Sequence, residues 1–215
     1  MRTPNHDLRA IVRAYCASAG LDQPMEAHYA AVDEAQARRI AAEYEALPTF
    51  VSDQPGASVA YYALAREIEM QFDVLRYAGY TFTFTAQDPY ASSDAMFTAL
   101  AQKQLRVFAG GDAHPYFTQR INLLFRAVHD CFGHAAEGYQ WGARGEENAW
   151  IHHSMMFSPL AQAALTSETR GQNSWVNFGP YASLPVGERP FAAQKAALLP
   201  AWAWDWRSAL TSDSK

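Results

Sequence analysis

The chain has 215 residues, 49% of them hydrophobic, 13% aromatic and 18% charged, the balance of a folded domain large enough to bury its own core. Its net charge is −5 and its lysines are Lys103, Lys195 and Lys215 alone, so no basic stripe exists to hold a nucleic-acid backbone. No apolar run reaches the ~18 residues of a membrane span. Charged Arg2, Asp7, Arg9 and Arg13 leave no room for a signal peptide, and Cys16 and Cys131 lie outside any CxxC pattern. A cytoplasmic protein with reduced thiols is expected.

Helical spacing dominates the first third. Leu8, Ile11, Val12 and Tyr15 share one face of a first helix that ends near Gly20. A second is expected over 33–47, stopping before Pro48, and a third over 57–77 with Tyr61, Leu64, Ile68, Phe72 and Leu75 as its buried stripe. The alternation of residues 80–85 (YTFTFT) predicts a half-buried strand, and the short apolar run 105–109 a partner for it. Between them Ser93 and Asp94 can cap a helix reaching about Gln102. A loop over 110–115 precedes a helix capped by Thr118 and running to about Ala136. Further helices are expected over 146–157 and, restarting at Ser158-Pro159, to about Arg170. A polar loop over 171–180, a helix over 189–199 and an aromatic tail with Trp202, Trp204 and Trp206 complete the reading. The fold expected is mainly α, a single compact helical domain over 1–215 with a small two-stranded β element.

Chemistry concentrates between positions 114 and 153, where His114, His129, His134, His152 and His153 fall among Asp130, Glu146 and Glu147, with Glu168 shortly after. The sharpest string is HDCFGH, residues 129–134. On a straight α-helix residues i and i+5 sit about 140° apart, so Asp130 and His134 would be the co-facial pair. Gly133 also allows the helix to turn and bring His134 back beside His129. Both pairings stay open. In GEENAWIHH, residues 145–153, Glu146, Trp150 and His153 share a face, and Glu147 less directly; the plain alternative for both glutamates is favourable placement at a helix N-terminus. Asp130, Glu146, Glu147 and His153 are therefore candidates for catalytic proton transfer or for a second metal, although the Glu-x-x-His pairing of di-iron helical proteins is absent. In ETRGQNSWVNFGP, Arg170, Asn173, Trp175 and Asn177 have the mixture of a pocket wall, and Arg170 or Arg126 could receive a substrate carboxylate.

HDCFGH resembles the HExxGH iron motif of the pterin-dependent aromatic amino acid hydroxylases. That family takes its third ligand from a glutamate some way downstream, and Glu168 follows His134 by 34 positions. The resemblance covers residues 129–168 and implies His129, His134 and Glu168 as ligands of Fe(II), Asp130 as a neighbouring group that orients them, and a pterin or another reductant as electron donor. Two imidazoles and a carboxylate on one face leave room for dioxygen and substrate. The stretch 125–180, with FRAVHDCFGH, GEENAW and ETRGQNSWVNFGP, is also similar to an uncharacterised family of bacterial and phage genomes. The leading expectation is a mononuclear non-haem Fe(II) oxygenase or hydroxylase acting on a small, aromatic or amino-acid-like substrate. A zinc or manganese hydrolase with Glu146 or Glu147 as base, and a non-enzymatic phage-associated binding domain, are the alternatives.

Overall fold

The computed structural model describes residues 2–25 and 28–207. It is mainly helical with one small two-stranded sheet, as expected. Helix α1 (His6–Ala19) is capped by the Asn5 side chain, which accepts from the Leu8 N–H, and α2 (Glu34–Ala46) by Asp33, which accepts from Gln36. Helix α3 (Ala57–Tyr77) is the central rod. Its stripe of Tyr61, Leu64, Ile68, Phe72 and Leu75 is buried as the sequence predicts, against α1, α5 and α7. Each such side chain, once fully buried, stabilises the fold by roughly 1.5–3 kcal/mol.

Strands β1 (Thr81–Thr85) and β2 (Gln104–Phe108) pair in parallel, Thr81 opposite Gln104 and Thr85 opposite Phe108. Helix α4 (Ser93–Leu100) makes the crossover that parallel strands require. Its cap is Ser92, one residue before the expected Ser93 and Asp94: the Ser92 hydroxyl accepts from the Ala95 N–H, placing those two inside the first turn.

The second half departs from simple α-periodicity. Thr118 caps α5 (Gln119–Val128), but from His129 the chain widens into a π segment, His129–Ala135, closed by i+5 bonds such as Ala136 N–H to the Cys131 carbonyl at 2.8 Å. Helix α6 (Ala143–Ser154) starts three residues before the expected position, and α7 (Pro159–Thr166) runs into a second π segment, Ser167–Gly171. The chain then continues as α8 (Gln172–Phe178), so the stretch read as a polar loop is mostly helix packed on α2. Gly171 permits that packing: a Cβ there would lie 2.7 Å from the Tyr44 ring. The helix expected over 189–199 is absent. This segment is irregular, and its partners lie in other elements: Lys195 Nζ donates to the carbonyls of Tyr44, Glu45 and Leu47 at the end of α2, and the Ala196 N–H to the Thr49 carbonyl.

One large core joins Leu8, Leu64, Phe132, Trp150, Phe157 and Leu165. A smaller cluster joins Ile40, Tyr44, Trp175 and Leu199, and the aromatic tail seals it with Trp202 and Trp204, while Trp206 reaches the main core.

Candidate metal centre

The π segment decides the pairing that the sequence left open. Its i+5 repeat stacks residue 134 over residue 129, and the two imidazole rings meet edge to face with centroids 5.0 Å apart. Gly133 lies beneath the His129 ring, where a Cβ would sit 2.9 Å from Nδ1, so only glycine lets the ring fold back. Helix α6 packs on this segment and brings Glu146 in from its first turn. Glu146 Oε2 lies 3.3 Å from His134 Nε2 and 3.7 Å from His129 Nε2. Among the described residues these three form a group whose donor atoms all lie within 4.8 Å of one another. A metal about 2.1 Å from each donor needs them about 3 Å apart at octahedral angles or about 3.5 Å at tetrahedral ones, and the two glutamate–imidazole spacings fall close to that range.

The outer nitrogens of both rings are held. His134 Nδ1 lies 2.9 Å from the Tyr139 carbonyl, which can only accept, so Nδ1 carries the proton and Nε2 offers its lone pair to the centre. His129 Nδ1 lies 3.1 Å from His153 Nδ1, and His153 Nε2 lies 2.9 Å from Gln71 Oε1. The inner side is dry, with the His134 side chain 2% exposed, whereas Glu146 is 29% exposed and opens the centre to solvent.

Charge is arranged to match. Burial opposes protonation of His134, but the Glu146 charge and hydrogen bond, Asp130 and the Tyr139 carbonyl outweigh it and lift the imidazole to about 9. Burial likewise opposes ionisation of Glu146, yet the neighbouring His134 and His129 hold its carboxyl far below the usual range. His129 and His153 are lowered, chiefly by burial. The carboxylate and two imidazole edges thus demand one cation, which without metal is the His134 proton. Asp130 stands beside this group, half-buried and pushed up to about 7 by burial and by Glu146 and Asp88, against the pull of His134 and Arg126.

Other expected site residues lie elsewhere. Glu168, predicted as third ligand, sits in the second π segment, where its carboxylate accepts from Tyr61 Oη at 2.6 Å, His114 Nε2 at 3.0 Å and Gln172 Nε2 at 3.0 Å. His114 Nδ1 already accepts the N–H groups of Tyr116 and Phe117, so this is a satisfied structural knot, and Glu146 instead joins the two histidines in the group that could hold a metal. Glu147 and Arg170 form a buried two-point pair, Nη2 to Oε1 at 2.6 Å and Nε to Oε2 at 3.1 Å. Arg170 also donates to the Ala203 carbonyl and Gln36 and stacks on Trp150, leaving no fork for a substrate. Asn173 donates to the Ala143 carbonyl and the Trp175 indole to Glu45, joining α8 to its neighbours, while Asn177 donates to Asn173 within the helix. Arg126 spends Nη1 on the carbonyls of Phe108 and Gly110 while lining a cavity of about 230 Å³ with Asn122 and His114. His153 backs His129 as described.

Gln71 is the residue that sequence reasoning missed. Its signal was available: an amide on the apolar stripe of α3, three residues after Ile68, must be hydrogen-bonded if buried. The chain matches no family model, no curated protein and no solved structure.

Proposed function

We propose that the chain is a mononuclear metalloenzyme of the 2-His-1-carboxylate class, with His129, His134 and Glu146 as ligands, and that it is an Fe(II)-dependent oxygenase or hydroxylase. The observation that carries this reading is the convergence of two oriented Nε2 atoms and one carboxylate oxygen at a half-open surface of the core. Ferrous iron in such a triad supplies dioxygen chemistry at the positions the protein leaves free. In this reading Asp130 moves protons at the rim, and the cavity beside Arg126 is the approach for a small substrate: Asn122, Arg126 and Asp130 follow one another at i+4 steps along α5 into the π segment.

The test is metal content and oxygen consumption of untagged protein prepared without chelator, compared with His134→Ala, Glu146→Gln and Glu168→Gln. About one iron per chain is expected in the natural sequence and in Glu168→Gln, and none in the other two. Retention of iron by a folded Glu146→Gln variant, or its loss from a folded Glu168→Gln variant, would overturn the ligand set. Asp130 supports a second reading, metal-assisted hydrolysis, because a carboxyl that burial raises in the metal-free protein stands at the rim of the centre, where a general base is needed. Zinc or manganese at one per chain with no oxygen uptake would favour it.

A further inference from the structure

The contact between His129 Nδ1 and His153 Nδ1, at 3.1 Å, admits only one hydrogen. Two protons there would collide and none would leave two lone pairs facing each other, so one ring must be the donor. Nothing within the pair settles which. The deciding group lies one step further out, on α3. Gln71 Nε2 donates to the Met156 carbonyl at 3.0 Å, which assigns the amide orientation and leaves Oε1 facing His153 Nε2 at 2.9 Å. An amide oxygen can only accept. His153 therefore carries its proton on Nε2 and a lone pair on Nδ1, His129 must donate from Nδ1, and the lone pair of His129 is left on Nε2, toward Glu146. Gln71 and His153 are both fully buried, so neither group faces bulk solvent.

We propose that Gln71 is a positioning residue of the centre: acting through His153, it fixes the tautomer of His129 and presents the Nε2 lone pair to the metal. The proposal rests on the reading of His129, His134 and Glu146 as ligands. It gives α3, which contributes no ligand, control over whether one can bind. An uncharged imidazole behind His129 also differs from the carbonyl behind His134, so the two ligands are oriented by unlike partners.

The experiment begins on the metal-free natural protein, where long-range 1H–15N correlation of the imidazoles reads each tautomer directly. The expected result is Nδ1–H on His129 and Nε2–H on His153; Nδ1–H on His153 would overturn the proposal without any variant. Gln71→Leu, close in volume but without an acceptor, should give mixed tautomers at both rings and a Co(II) affinity about 10–100-fold weaker. Gln71→Glu keeps an acceptor oxygen and should restore the His153 tautomer and most of the affinity. Unchanged tautomers and affinity in Gln71→Leu would reduce Gln71 to core filling. Because tautomers are read without metal, the two readings fail separately. Expected tautomers with no Co(II) binding overturn the metal centre and with it any role of Gln71 toward a metal. Co(II) binding with the opposite tautomers overturns the relay alone.

Discussion

Glu146 and His134 hold opposite charges 3.3 Å apart at the edge of a dry interior, and both groups titrate accordingly. His134 is raised from 6.5 to about 9, so its proton contributes stability that is fully present below 6.5 and is lost as pH rises through 9. Glu146 is depressed, so its contribution is present above its ordinary 4.5 and is lost only in strong acid. A metal must displace the His134 proton. Between pH 6.5 and 9 the metal-free protein should therefore lose stability while apparent Zn(II) or Co(II) affinity climbs by up to about tenfold per pH unit. Thermal melts and metal titrations across that window check both slopes, and a flat affinity profile would contradict His134 as a ligand. The residues that carry this behaviour were legible as types: His129, His134 and Glu146 stood out by clustering. Their combination was less so, because Glu168 suits the spacing of the hydroxylase motif, while three side chains, Tyr61, His114 and Gln172, already hold its carboxylate.

At the scale of elements, regular amphipathic helices were readable and irregular ones were not. Helix α3 begins and ends where its apolar stripe says, because that stripe is long and uninterrupted. The π segments follow no hydrophobic period; only the glycines at 133 and 171 hint at them, each where a ring lies against the backbone. Residues 172–178 read as a loop because their amides look solvent-seeking, yet Gln172 and Asn173 bond to neighbouring elements and Asn177 to Asn173 within the helix. The 189–199 segment has helical composition but bonds across to α2 and its flanks. Arg170 shows the same conversion of apparent binding residues into structural ones. Arg170→Ala, which strands Glu147 in the core, should cost about 3–5 kcal/mol in urea unfolding. It should leave metal stoichiometry unchanged, whereas a substrate-binding arginine would affect substrate affinity with little loss of stability.

For the molecule as a whole, the centre is a clasp. Its proposed ligands come from the first π segment and the start of α6, and residues 2–5 close over the same region, the Arg2 N–H donating to the Gly138 carbonyl and the Asn5 N–H to those of Ala135 and Ala136. A ligand bound only by the folded state at 100 times its Kd adds about 2.7 kcal/mol, which for a chain of this size raises Tm by about 5–10 °C. Calorimetry with and without metal should show that rise in the natural protein and none in Glu146→Gln. The first π segment also has a consequence in the language of genes. An α-helix with histidines four apart and a π segment with histidines five apart present a similar pair of rings, and the two differ in length by a single codon. One in-frame insertion is thus absorbed by widening a turn instead of dispersing the ligands. Genome searches that demand an exact interval between histidines will separate chains whose centres are geometrically alike.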